Sequence, residues 1–294
     1  MSTSHHRRRI QYSQNFLHNR KLVSRLVRES NLDAGDLVLE IGPGDGAITA
    51  ELVRACRHVL AIEADRRQVE RLRSRLGDAP NLTLFAADFL DFPLPQTPHK
   101  VFASIPYNIT AAIIGKLTTG ASPPTEMYLV TQREAAERFL GHPKGTMMAA
   151  ELHPWFETSI AHRFQRADFH PRPAVDSVLL HIAQRTDPAI PWNERDRYLD
   201  LVVSVFTAWK PTVREALVTL LPRAAMASIS REMARVMNQR PSTVANDEWT
   251  ALFEALRSMP DPAVWKRIDG ARSRLNQRDA TLRKRTRTPA ASRR

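Results

Sequence analysis

The amino-acid sequence predicts an α/β fold, a doubly wound, Rossmann-like sheet of seven strands with a small C-terminal helical domain. Three observations carry this prediction. Short apolar, β-rich runs alternate with helical stretches over residues 37–131. A Gly-rich turn, "GPGDG" at 42–46, joins the first run to its helix. Beyond "TDPAIPWNERD" (186–196), which holds two prolines and reads as a linker, only helical patterns remain. Apolar runs separated by helices imply parallel strands covered on both faces.

The strands follow in order. "LVLEI" (37–41) leads through the glycine turn into a helix that ends near Cys56. "HVLAIE" (58–63) precedes "ADRRQVERLRSRL", whose Leu72 and Leu76 share one helix face. "LTLFAAD" (82–88) and "KVFAS" (100–104) come next, then a helix from about Ile109 and the strand "EMYLVTQ" (126–132). "WFETSIAHRF" (155–164) and "SVLLHIAQ" (177–184) have no long helix between them, so they form an antiparallel pair that closes the sheet. The helical domain opens with "NERDRYLDLVVSVFTAW" (193–209). A helix opening at Pro211 follows, with the capping box Thr212-Val213-Arg214-Glu215. "AAMASISREMARVM" (224–237) and "DEWTALFEALRSM" (247–259) complete it. The division expected is a basic arm (1–10), an α/β domain (11–186), a helical domain (187–266) and a basic disordered tail (267–294).

The bulk numbers restrict the function classes. The chain has 294 residues, enough for about two domains, with 43% hydrophobic and 25% charged residues. No apolar run reaches the roughly 20 residues of a membrane span, and "MSTSHHRRRI" lacks the apolar segment of a secretory signal. A single cysteine, Cys56, excludes an internal disulfide framework and fits a reducing cytoplasm. The histidines show no metal-ligand spacing. A monomeric cytoplasmic protein without metal is expected.

The net charge of +12 is unevenly placed. Residues 271–294 hold nine Lys or Arg against one Asp, and residues 1–9 add three arginines. The body between is nearly neutral. Cationic ends suit a polyanion, because each neutralised phosphate releases condensed counterions. The tail lacks aromatics, so it supplies affinity rather than base recognition.

Three strand ends then carry the chemistry. The turn after the first strand, "EIGPGDG" (40–46), spaces Gly42, Gly44 and Gly46 as G-x-G-x-G, not as the dinucleotide G-x-G-x-x-G. It contains acids (Glu40, Asp45) and no base. A nucleoside cofactor that is cationic and free of phosphate, S-adenosylmethionine, suits it better than a pyrophosphate. Glu63 ends the second strand, where a carboxylate can accept both ribose hydroxyls. Asp88 ends the third, placed to accept from an adenine amino group. At the end of the fourth strand stands Ser104-Ile105-Pro106-Tyr107. An exocyclic purine amine is a poor nucleophile because its lone pair is delocalised into the ring. Acceptors that hold its hydrogens, the Ser104 side chain and the Ile105 carbonyl fixed by Pro106, favour the charge that develops on nitrogen. Tyr107 offers a ring on which an everted base can stack.

Taken together, "YSQNFLHN" (12–19), "EIGPGDG", "AIEAD", "ADFLDF", "SIPYNIT" and "FHPRPAVDSVLL" (169–180) resemble the ribosomal RNA adenine N6-dimethyltransferase family over roughly residues 10–185. The resemblance implies that Gln14, Asn15 and Leu17 lie on a segment that closes over the cofactor, joining Gly42, Gly44, Glu63, Asp88 and Ser104. It also implies that Phe169 packs against the everted adenine opposite Tyr107. The family usually carries Asn where this chain has Ser104; serine still accepts a hydrogen bond but is shorter and lacks the amide. Two branches share these motifs. One modifies 16S RNA during small-subunit assembly and usually carries an Arg-Arg-Lys-Thr run in its helical domain. The other modifies 23S RNA and confers macrolide, lincosamide and streptogramin B resistance. "TAWKPTVREAL" (207–217) and the Arg-rich tail are more similar to actinobacterial members of the resistance branch. A non-catalytic RNA-binding protein on the same fold and a DNA adenine methylase are the other readings. The glycine turn, Glu63, Asp88 and Tyr107 argue against the first, "QNFL" and the helical domain against the second.

Overall fold

Alternation of strand and helix covers the central strands on both faces, and the computed structural model buries the runs 38–41, 101–103 and 127–131 accordingly. It describes residues 16–286, with side chains described over 17–278. Gln14, Asn15, residues 1–10 and residues 287–294 lie outside the described residues. The described chain forms two units, one from residues 16–137 and 157–184, the other from 138–156 and 185–286.

The first unit holds strands β1 (Phe16–Leu17), β2 (Leu37–Ile41), β3 (His58–Glu63), β4 (Leu82–Ala86), β5 (Lys100–Ser104), β6 (Glu126–Gln132), β7 (Phe156–Arg163), β8 (Phe169–His170) and β9 (Ser177–Gln184). Seven of them make one sheet in the order β4-β3-β2-β5-β6-β9-β7. β4, β3, β2, β5 and β6 run parallel, and β9 lies antiparallel to β6, with Leu129 opposite Leu180. The Phe164 N–H donates to the Ser177 carbonyl at 3.0 Å, where β7 ends and β9 begins. The doubly wound sheet expected from sequence is therefore present, with strand limits within two residues of those read from the apolar runs.

Four helices fill the connections, α1 (Arg20–Glu29), α2 (Ala47–Ala55), α3 (Arg66–Leu76) and α4 (Thr110–Thr119). α1 buries Leu22, Val23, Leu26 and Val27, the one-face spacing of an amphipathic helix. Its N-terminus is capped by Asn19, whose side-chain oxygen accepts from the Leu22 N–H at 3.2 Å. These residues share a core with Ile48 and Leu52 of α2 and with Val38, Val59, Phe102, Tyr128 and Leu179 of the sheet. β1 and β8 form a separate antiparallel pair, Leu17 opposite Phe169. Two-residue strands with no sequence proximity leave no periodic signal, and this pair was not expected.

The second unit is helical. It contains α5 from Arg138 onward (the helix spans Arg133–Leu140), α6 (Met147–Leu152), α7 (Arg195–Thr207), α8 (Val213–Leu217), α9 (Arg223–Glu232), α10 (Ala234–Met237), α11 (Asn246–Arg257) and α12 (Ala271–Thr286). Residues 138–156 belong to it because their polar groups are satisfied there. The Tyr198 hydroxyl donates to the Ala150 carbonyl at 2.8 Å, and the Trp155 indole N–H to the Ile190 carbonyl at 2.8 Å. Of the expected capping box only the N-cap half is found: the Thr212 hydroxyl accepts from the Glu215 N–H at 3.2 Å, while the Glu215 carboxylate accepts from that hydroxyl, also at 3.2 Å, rather than from the Thr212 N–H.

One expectation is corrected. Residues 271–286 of the basic tail are helical rather than disordered. The reason lies at the start of α12. The Asp200 carboxylate accepts from the Gly270 N–H (2.6 Å) and the Arg272 N–H (2.7 Å), satisfying donors that a helix N-terminus leaves open. The Arg272 guanidinium also pairs with the buried Glu151 carboxylate. Composition alone shows the charge of the tail and not these distant partners.

Candidate active site

The chain leaves β2 toward one side of the sheet and returns as β5 on the other, so a crevice opens between their carboxyl ends. Two segments meet there. Gly42 follows β2 with φ 66°, a left-handed conformation that glycine adopts without steric cost. A Cβ placed on it would stand 3.8 Å from the Ser104 carbonyl oxygen, so the glycine turn and the "SIPY" turn run side by side with room for about one atom between them. The Gly42 N–H is tied down by the Ile62 carbonyl at 2.9 Å. At Gly46 (φ 81°) the backbone is left-handed, and a Cβ would meet Leu72 Cδ2 at 2.4 Å, so any other residue would be strained and would have to displace that leucine.

Carboxylates surround the turn. Glu63 is buried at the end of β3. Its two oxygens accept from the Gly44 N–H (3.3 Å) and the Asp65 N–H (2.9 Å), which leaves a lone pair on each. Burial raises its pKa, and these amide bonds oppose the rise. Glu40, one residue before the end of β2, is 1% exposed, and neither carboxylate oxygen has a hydrogen-bond partner among the described residues. Burial pushes its pKa up to about 8; nearby Thr49 opposes this without meeting hydrogen-bond geometry, and the Glu63 and Asp45 charges add to it. An unpaired buried carboxyl beside a second acid is unfavourable by itself and favourable once a cation arrives. The set fits S-adenosylmethionine, which brings ribose hydroxyls and positive charge and no phosphate.

Asp88 lies exposed beyond β4, its Oδ1 accepting from the Leu90 N–H at 2.9 Å. The turn it opens is held by a residue that sequence reading missed. Lys116 of α4 donates from Nζ to the carbonyls of Phe89 and Leu90, each at 2.8 Å, and of Phe92. Burial lowers its pKa, countered by Asp91 and Asp88. A methionine at 116 leaves those carbonyls without their charged donor, at about 1–3 kcal/mol. Lys116→Met is expected to weaken S-adenosylmethionine binding about ten-fold by calorimetry, with a fall of a few degrees in thermal midpoint. Unchanged affinity would show that Asp88 keeps its place without Lys116.

At the end of β5 the Ile105 N–H donates to the Val130 carbonyl at 3.1 Å, and no hydrogen bond among the described residues uses the Ile105 carbonyl. Pro106 fixes the backbone (φ −62°) ahead of a short 3₁₀ turn, Tyr107–Ile109. The half-buried Tyr107 shares a 2.7 Å hydrogen bond between its hydroxyl and Ser177 Oγ. Burial raises the phenol pKa and the Ser177 contact restrains the rise, so the ring is a neutral, tethered plane. Ser177 is the second residue that sequence reading did not single out; it stood inside the quoted "AVDSVLL" with nothing to mark a partner 70 positions away.

The structure therefore brings together Gly42, Gly44, Glu63, Ser104, Ile105, Pro106 and Tyr107, with Asp88 on the neighbouring strand end. Phe169 stands differently. It is 1% exposed, its ring edge-on to Phe164 at 5.3 Å and packed in the core with Leu17. In this conformation it has no open face for a base, and Leu17 is a core residue paired with it. Among the described residues no cluster of three or more His, Cys, Asp or Glu could hold a metal ion, and no helix is long and apolar enough to cross a membrane.

Comparison with known proteins agrees with this geometry. The family model for ribosomal RNA adenine dimethylase matches residues 5–257. A Streptomyces thermotolerans protein named rRNA methyltransferase is 36% identical over 251 residues, 85% of this chain and 84% of the relative. A small-subunit ribosomal RNA methyltransferase A from a Synechococcus species is 31% identical over 90% of this chain and 99% of its own. The crystal structure of the 23S rRNA methyltransferase ErmE superposes with a TM-score of 0.72 at 30% identity, covering 83% of this chain and 100% of that one. By motif, by crevice and by these relatives, the chain belongs to the ribosomal RNA adenine dimethylase family and is an S-adenosylmethionine-dependent methyltransferase.

Proposed function

We propose that this enzyme methylates the N6 amine of one adenine in 23S ribosomal RNA, and that the product confers macrolide, lincosamide and streptogramin B resistance. The observation that carries the chemistry is the approach of Gly42 to Ser104, which sets the cofactor turn against the amine-orienting turn. When bound, S-adenosylmethionine supplies an electrophilic methyl group. The protein's part is to hold the amine in line with it. The Ile105 carbonyl and the Ser104 hydroxyl accept the amine hydrogens, and Tyr107 carries the ring of the everted base. No side chain here is an obvious strong base, and none is required, since a methylated ammonium is acidic enough to lose its proton to water. Gln14, Asn15 and Leu17 would cover the cofactor, and Phe169 would form a second wall for the base once the Leu17 strand lifts from it.

The 23S target is supported by the relative of known structure at 30% identity, whose whole length is covered. It is also supported by "TAWKPTVREAL" standing where the assembly branch carries Arg-Arg-Lys-Thr. The second reading, methylation of 16S RNA, is favoured by the small-subunit relatives of similar identity. Labelled methyl transfer to protein-free 23S and 16S RNA, followed by primer extension on each, separates the two. A stop at one adenine in the peptidyl-transferase region of 23S RNA is expected. Modification confined to 16S RNA would replace the first reading by the second.

A further inference from the structure

The helical unit contains one side chain placed as no folding requirement explains. Trp155, Trp249 and Trp265 are buried, whereas Trp209, in the loop after α7, is 91% exposed. It is also the one non-glycine residue with a positive φ among the described residues, at 53°. A left-handed backbone costs about 1–2 kcal/mol for a residue with a Cβ, and for a bulky aromatic it is an outlier. Burial cannot offset that here, because the indole is almost wholly in solvent. A residue both strained and unpacked is kept for something outside the fold.

Its surroundings indicate what. Residues 207–214, "TAWKPTVR", carry two bases and no acid; the acids that flank the region are occupied, Glu215 by Thr212 and Asp200 by the Gly270 and Arg272 N–H groups. Lys210 follows the ring directly, is exposed, and has no ion pair among the described residues. Pro211 restricts Lys210 to extended backbone, which holds the pair on a stiff loop. Arg214 is fixed by bonds to Ser230 Oγ (2.9 Å) and Asn238 Oδ1 (3.4 Å). An open aromatic face followed in the chain by an exposed cation, with a tethered one five residues on, is the chemistry of a single-stranded nucleic-acid contact, with the ring for a base and the cations for its phosphates.

We propose that Trp209 and Lys210 form an RNA contact on the helical unit, in which an unpaired base stacks on the indole. The inference rests on the ribosomal RNA reading above and adds a contact to it that none of the strand-end residues supplies. The test uses the full-length chain with a short single-stranded oligoadenylate, a perfectly paired RNA duplex, and protein-free 23S RNA. Trp209→Ala is expected to weaken oligoadenylate binding about ten-fold, the scale of one lost aromatic–base stack, while Trp209→Phe stays within about three-fold of wild type. Duplex affinity should not change. Lys210→Ala should lower the salt slope for single strands by about 0.7, which Trp209→Ala leaves intact. Trp209→Gly removes the backbone strain and should raise the thermal midpoint while showing the same loss of oligoadenylate affinity, which a failure to fold could not mimic.

Equal oligoadenylate affinity in wild type and Trp209→Ala would overturn the proposal. So would a change confined to self-association, which would assign the indole to a protein contact. Either result leaves methyl transfer to 23S RNA by the wild type intact. A wild type that binds and methylates no RNA would remove the underlying reading as well.

Discussion

Replacing Tyr107 by alanine is expected to reduce methyl transfer to RNA by about 10²-fold or more, with S-adenosylmethionine affinity within two-fold of wild type. The reasoning starts from the tether. The Tyr107 ring is fixed at its tip by the 2.7 Å bond to Ser177 and at its base by the turn that Pro106 begins, with the Thr110 hydroxyl donating to the Tyr107 carbonyl at 3.1 Å. A plane held at both ends can position a stacked base, and loss of a base–aromatic stack alone removes about 1–3 kcal/mol. Misplacement of the amine by about 1 Å adds a loss on the order of 10² in rate. Tyr107→Phe keeps the plane and loses only the tether, so a fall of less than about ten-fold is expected, and Ser177→Ala should match it. Single-turnover transfer from labelled cofactor measures all three. A Tyr107→Ala enzyme with wild-type turnover would show that the base is held elsewhere.

How far this site was legible in the sequence depends on whether each signal was local. Gly42, Glu63, Asp88 and Ser104 each end an apolar run, and a parallel sheet necessarily gathers the carboxyl ends of its strands at one rim. The sequence alone therefore places those residues together. It does not place the partners that fix them. Lys116 caps carbonyls more than twenty positions earlier, and Ser177 holds a tyrosine 70 positions away. Neither distance has a period. Phe169 shows the opposite case, in which a motif names a residue and the packing puts its ring in the core beneath Leu17. The same holds for the tail, whose charge was plain and whose helical start depends on Asp200 and Glu151. Trp209 is a further instance, since neither exposure nor a left-handed backbone leaves a mark in composition.

Glu40 yields the other large effect, and its sign can be worked out. Its pKa lies at about 8 in the folded chain, chiefly through burial, against 4.5 in an unstructured one. The folded state therefore binds more protons between those values, and stability falls as pH rises through the window from about 4.5 to about 8. At 1.36 kcal/mol per unit, the loss near pH 7 is on the order of 3 kcal/mol. Glutamine keeps the shape and cannot ionise when unfolded. Glu40→Gln should therefore raise the thermal midpoint of the cofactor-free protein at pH 7 to 8 and leave it unchanged near pH 4. Affinity should move the other way. A cation beside Glu40 favours the carboxylate, so S-adenosylmethionine binding at pH 7 should expel a proton and tighten as pH approaches 8. Glu40→Gln should lose the proton release and bind more weakly. Calorimetry in two buffers of different ionisation enthalpy counts the proton, and denaturation across pH reads the stability. If binding expels no proton and the stability gap is flat with pH, Glu40 is charged in the folded protein and has a partner other than the cofactor. If both appear, the unpaired carboxyl is a destabilised residue whose charge the cofactor completes.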